Sequence, residues 1–138
     1  MKILVDLNVL LDFLQRREPF FEDAASILDG VLYRKFDGVL AVHAITTAFY
    51  LLSKSRSAES TRDAVQWLID TFEIPPCDKG ALEEAMISGF ADFEDAVTSV
   101  QARRSGCEFI VTRNRVDFAR SAVPAITPAG FLLRLQSE

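Results

Sequence analysis

Short apolar runs alternate along this chain with longer stretches in which apolar residues recur every three or four positions. Lys2-Ile-Leu-Val5 reads as a buried strand. The apolar-rich Val9–Leu14 reads as a helix that starts near Asn8 and ends at Gln15-Arg-Arg-Glu-Pro19, since proline disfavours a helical residue before it. From Phe20 to about Phe36, Ala24, Ala25, Ile27, Leu28, Val31 and Leu32 form a stripe at helical spacing. Asp37-Gly38 is a turn signal, Val39–Val42 a second strand and His43–Lys54 the next helix. Ser55–Ser60 is a polar linker and cap, Thr61–Phe72 an amphipathic helix, and Phe72-Glu-Ile74, before Pro75-Pro76, a short third strand. Lys79–Phe90 and Asp92–Arg104 are helical, with Ser105-Gly106 closing the pair. Cys107–Val111 is a clear strand and Val123–Ile126 a last one; Thr127-Pro128 opens a terminal helix with proline at its first position. Strands alternating with helices predict an α/β fold, a parallel sheet covered on both faces. No repeat or linker divides it, so a single domain over residues 1–138 is expected.

Composition narrows the picture. With 49% hydrophobic and 25% charged residues, 138 positions suffice for one globular domain with a sizeable core. No run of apolar residues is long enough to span a membrane. The first apolar stretches are interrupted by Asp6 and Asp12, unlike a signal peptide, so the cytoplasm is the expected compartment. Cys77 and Cys107 lack metal-type spacing, and Cys107 falls in a strand pattern as a small buried residue. The formal net charge of −5 lacks the basic footprint of a passive nucleic-acid-binding module.

Candidate chemistry gathers on acids near strand ends. Asp6 and Asn114 stand just after two apolar strands, with Asp117 three residues beyond Asn114. Asp95 lies in the first turn of the helix that feeds the second of these strands, in the run Asp92-Phe-Glu-Asp95, where Asp92 suits an N-cap. Acids at the ends of neighbouring strands would share one crevice at the carboxyl edge of the sheet. Oxygen-only ligands suit magnesium or manganese, which would let the site hold a phosphodiester and activate water. His43 is the only histidine and reads as a helix-start or packing residue. There is no Gly-x-Ser-x-Gly elbow and no Gly-rich phosphate loop. Arg16-Arg17, Arg103-Arg104 and Arg113-x-Arg115 offer phosphate contacts but read first as solvated surface.

In order along the chain, Ile3-Leu-Val-Asp-Leu-Asn-Val-Leu-Leu-Asp12, Asp92-Phe-Glu-Asp-Ala96 and Ile110-Val-Thr-Arg-Asn-Arg-Val-Asp-Phe118 resemble the PIN-domain ribonucleases. The likeness is nearest to bacterial toxins of the VapC type. Val39–Thr47 and Ile126-Thr-Pro128 also sit where that family has strand-and-turn segments. The resemblance implies a three-layer α/β/α fold, Mg2+ or Mn2+, a homodimer, RNA as substrate and a small antitoxin protein as partner. By the same resemblance Asp6 and Asp95 match metal-binding acids, Asn114 stands where many members carry another aspartate, and Asp117 is its possible substitute. The family glutamate on the helix after the second strand has no counterpart in His43–Tyr50; Thr47 is the best match to its position, and Asp12, Asp92 or Glu94 are the candidate compensating acids.

Three readings follow. The first is a metal-dependent endoribonuclease using Asp6, Asp95, Asn114 and Asp117. The second is a PIN-like RNA- or protein-binding module that has lost activity, motivated by the missing glutamate and by Asn114. The third, ranked last, is a phosphohydrolase with Asp6 as nucleophile, disfavoured because Asn8 stands where a second acid would be wanted.

Overall fold

The structure, a computed structural model, describes residues 1–138. Its centre is a sheet of four parallel strands, β1 (Lys2–Val5), β2 (Asp37–Val39), β3 (Phe109–Val111) and β4 (Ala125–Ile126), in the order β2-β1-β3-β4. The central strand β1 pairs Ile3 with Gly38 on one side and with Phe109 on the other. Around the sheet run α1 (Leu7–Leu14), α2 (Phe21–Leu32), α3 (Val42–Ser53), α4 (Ala58–Thr71), α5 (Lys79–Ile87), α6 (Phe93–Arg104) and α7 (Pro128–Gln136).

The period-two alternation of the strands divides the core. Ile3, Val5 and Val111 face one layer, where α1, α2, α3, α4 and α7 contribute Val9, Leu28, Ala48, Leu68 and Phe131. Leu4, Val39 and Ile110 face the other, against Ala102 of α6 and Phe118. Outside α6 lies α5, packed through Ala81, Ala85, Ala96, Val97 and Val100, small side chains that let two helices approach closely. This is the expected α/β/α sandwich. Both sheet faces are dry, which explains why the strands read as unbroken apolar runs. No helix is long and apolar enough to cross a membrane.

Several boundaries differ from the sequence expectation, each for a tertiary reason. Strand β2 begins at Asp37, so Asp37-Gly38 is strand and not turn. A Cβ at Gly38 would lie 2.7 Å from the Phe72 ring and 2.8 Å from Val31, so the glycine is there to admit α2 and Phe72 against the strand. Val42, counted above as strand, is already the first residue of α3. That helix lacks a side-chain cap of its own; Gln101, fully buried, accepts from the Val42 N–H (3.1 Å) and donates to the Pro75 carbonyl (3.0 Å). The expected third strand, Phe72-Glu-Ile74, shrinks to one bridge between Glu73 and Val39, because Pro75 and Pro76 have no N–H to continue a ladder. Helix α4 starts at Ala58, earlier than read, since Ser57 caps it by accepting from the Ser60 N–H.

Candidate active site

The carboxyl ends of β1 and β3 lie side by side, Val5 opposite Val111, and the next residue on each strand meets the other. Asp6 donates its backbone N–H to the Val111 carbonyl (3.0 Å) and caps α1, one carboxylate oxygen accepting from the Leu7 N–H at 2.9 Å. The other oxygen accepts from the Thr112 hydroxyl at 2.8 Å. Thr112 is completely buried, and its oxygen also accepts from the Asn8 side-chain amide (3.3 Å) and the Asn114 N–H (3.1 Å). One donation and two acceptances saturate a hydroxyl. Thr112 thereby ties Asp6, Asn8 and the Asn114 turn into one unit, a role the sequence offered no local signal for.

Asp95 comes to the same crevice from α6. Asp92 caps that helix, as expected, accepting from the Asp95 N–H at 3.0 Å. Burial, and then the charges of Asp92, Asp6, Asp117 and Glu94, push the Asp95 carboxyl up to about 7. The Asp6 carboxyl is likewise raised by burial, against the opposing hydrogen bonds from Thr112 and Leu7. Asp117 sits on a 3-10 turn, Arg115–Phe118, that Asn114 precedes; it lines a cleft of about 310 Å3 with Phe90, Asp92, Asp95 and Arg120. The side chains of Asn114 and Asp117 are exposed and bond to nothing in the protein.

The remaining candidates fall apart from this group. Asp12 is 1% exposed, and both its oxygens are held by Arg113, at 2.6 and 3.2 Å, with the guanidinium lying 4.1 Å over the Phe20 ring. A buried carboxylate on α1 needed a counter-ion, and the pairing leaves it no part in the crevice. Thr47 is half-buried on α3, and its hydroxyl bonds to none of the acids. Glu94 is exposed and acts on Asp95 through its charge alone.

The side chain that α3 does bring to the acids is His43. Its Nε2 lies 3.2 Å from the Thr98 hydroxyl, which donates to the Glu94 carbonyl at 2.9 Å, so Nε2 carries the proton of that contact. Burial lowers the His43 pKa, while Glu94, Asp6 and Asp92 pull it upward. His43 is the helix-start residue expected, but one placed within the field of the acids. Its position, four residues past the end of β2, the strand beside β1, was the available signal.

As arranged, no three of the His, Cys, Asp and Glu side chains approach closely enough to hold a metal ion. The donor chemistry nevertheless fits a hard divalent cation. Asp6 and Asp95 are oxygen donors on different elements whose ionised forms disfavour each other, and a cation relieves that conflict.

Residues 2–116 match a family model described as PIN domain. Ribonuclease VapC1 of Aquifex aeolicus (strain VF5) is 29% identical over 119 residues, 83% of this chain and 82% of that protein. The fold superposes on a chain of a toxin-antitoxin complex from Klebsiella pneumoniae (TM-score 0.68, 22% identity, 91% of this chain and 97% of that one). It superposes equally on FitAcB from Neisseria gonorrhoeae (TM-score 0.71, 18% identity, 92% and 98%).

Proposed function

Because the chain belongs to the PIN domain family, we propose that it is a metal-dependent endoribonuclease, the toxin of a toxin–antitoxin pair acting in the cytoplasm. The observation that carries this reading is the convergence of Asp6 and Asp95, which stand on different elements yet come close enough for the charge of Asp6 to help raise the Asp95 carboxyl. Asp6 and Asp95 would hold Mg2+ or Mn2+, with Asn114 or Asp117 completing the oxygen set. When bound, the ion supplies Lewis acidity toward a phosphoryl oxygen and lowers the pKa of water. The chain's own part is positional. Thr112 fixes the Asp6 carboxylate, the Asp92 cap fixes the first turn of α6, and the Arg115–Phe118 turn sets Asp117 on the cleft wall. A small antitoxin as partner and a homodimeric assembly are part of the same proposal. It is supported by the likeness to a ribonuclease and to a chain from a toxin-antitoxin complex.

The test is cleavage of RNA with Mg2+ or Mn2+ by the wild type, Asp6→Asn and Asp95→Asn, beside calorimetric titration of each with Mn2+. We expect cleavage and saturable binding in the wild type and loss of both in the variants. Cleavage indifferent to a chelator and to both substitutions sinks the mechanism. A second reading, a PIN-like module that binds RNA or protein without cutting, is favoured by one observation: α3 brings His43 to the acids but carries no acid of its own. RNA bound yet uncut at saturating Mn2+ would select it.

A further inference from the structure

The arginines of this protein divide by what neutralises them. Arg103 and Arg104 pair with Glu84 and Asp78, and Arg113 pairs with Asp12. Arg120 shares its cleft with Asp92, Asp95 and Asp117, yet it makes no ion pair with any of them. It is the one cation on the wall of that cleft. Arg115, nearby in sequence, opens instead on a separate groove with Pro124 and Ala125.

Arg120 lies against Gly89, in the turn between α5 and α6. Gly89 has φ +85°, a left-handed conformation, and its missing side chain leaves room for the Arg120 stem and guanidinium. A Cβ at Gly89 would stand 3.3 Å from Arg120 Nη1 and 3.8 Å from Cδ and Cζ. The arginine therefore lies along open backbone at the cleft wall, exposed and with its donors uncommitted.

We infer that Arg120, laid over Gly89, is a phosphate-holding arm of the cleft that contacts the backbone of single-stranded RNA next to the acids. This rests on the ribonuclease reading and adds to it a binding residue outside the acid set. The chemistry requires some such group. A phosphodiester entering a cleft walled by Asp92, Asp95 and Asp117 meets repulsion on a chain whose net charge is already −5. A planar guanidinium fork answers it directly, offering paired donors matched to phosphate oxygens.

The experiment is fluorescence anisotropy of a labelled, mixed-sequence single-stranded RNA oligonucleotide in Ca2+ over a range of salt, followed by cleavage kinetics in Mn2+. Arg120→Ala is expected to weaken binding about fivefold to tenfold. It should flatten the slope of log K against log salt by about 0.7, one phosphate contact on a single strand. The loss in kcat/KM should fall on KM. Arg120→Lys keeps the charge and should restore the slope but only part of the affinity. Lys35→Ala removes a positive charge on the loop entering β2, at the opposite edge of the sheet, and should change neither quantity. Wild-type affinity and slope in Arg120→Ala overturn the arm while the ribonuclease reading stands. An equal loss in Lys35→Ala also overturns it, reducing the effect to net charge. A wild type that neither binds nor cuts RNA overturns both.

Discussion

Asp6 and Asp12 stand near opposite ends of α1, and consecutive residues after β3 serve them: Thr112 donates to Asp6 and Arg113 to Asp12. The two carboxylates differ in what they receive. Asp12 gets a full positive charge through a two-point contact and is closed off beneath Phe20. Asp6 gets hydrogen bonds but no ion pair; burial raises its carboxyl, Asp117 adds to the rise against the pull of His43, and Asp6 in turn helps raise that of Asp95. One acid is neutralised within the fold and the other is not. The difference separates a carboxylate paired within the fold from one left without a counter-ion, although both follow the same strand.

The largest expected effect sets the two against each other in stability. Arg113→Ala leaves Asp12 ionised, buried and unpaired, and should cost about 3 kcal/mol in urea denaturation. Asp6→Asn removes an unpaired charge while keeping an oxygen to cap Leu7, so in chelator near neutral pH it should cost nothing or stabilise. Adding Asp12→Ala to Arg113→Ala should recover part of the loss. If Asp6→Asn proves as damaging as Arg113→Ala, the contrast collapses and Asp6 is a structural cap.

What the sequence disclosed follows the same division. Asp6, Asp95, Asn114 and Asp117 stood out as candidates because an acid or amide after an apolar run, or an acid in the first turn of a helix, is a local pattern. Asp12 was misjudged as an auxiliary acid because its partner lies 101 residues away, beyond any periodicity. Gly38 was misjudged because a glycine that turns the chain and a glycine that admits Phe72 look alike in one dimension. His43 was placed correctly at the start of a helix, but its neighbours Thr98 and Glu94 belong to α6, and only the fold brings them together. Elements and layers come from patterns that repeat, whereas the identity of a charge's partner does not.

A smaller effect probes how Asp6 is held. Thr112→Val preserves volume but removes the donor to Asp6 and the acceptor for Asn8 and the Asn114 N–H. Leaving these groups unpaired should cost about 2 kcal/mol. Since the Thr112 hydrogen bond opposes the rise in the Asp6 pKa, its loss should move that carboxyl higher still, readable by carboxyl carbon NMR in chelator. An unmoved Asp6 titration would mean that the hydroxyl orients the acid without bearing on its charge.

The smallest effect is a slope in pH. In the metal-free protein Asp95 titrates at about 7, against an ordinary value of 3.8. Between those values the unfolded chain has released this proton and the folded one keeps it, so the folded state binds more protons and stability falls as pH rises. The contribution is complete below about 3.8, is lost as pH climbs through about 7, and is flat beyond. Asp6, also raised, slopes the same way. His43, whose pKa is lowered, slopes the other way, its folded form releasing a proton before the unfolded one does. Comparing melting temperatures of the wild type and Asp95→Asn across that range isolates Asp95, because the charges acting on His43 are Glu94, Asp6 and Asp92 and not Asp95. The wild type should lose stability with pH more steeply than Asp95→Asn, by less than one proton's worth of slope. Mn2+ should lift the wild-type curve most at its high-pH end, where both acids are ionised and paired with the ion. Parallel curves for the two proteins in chelator would mean that Asp95 ionises freely in the fold, and that the repulsion read into the crevice is absent.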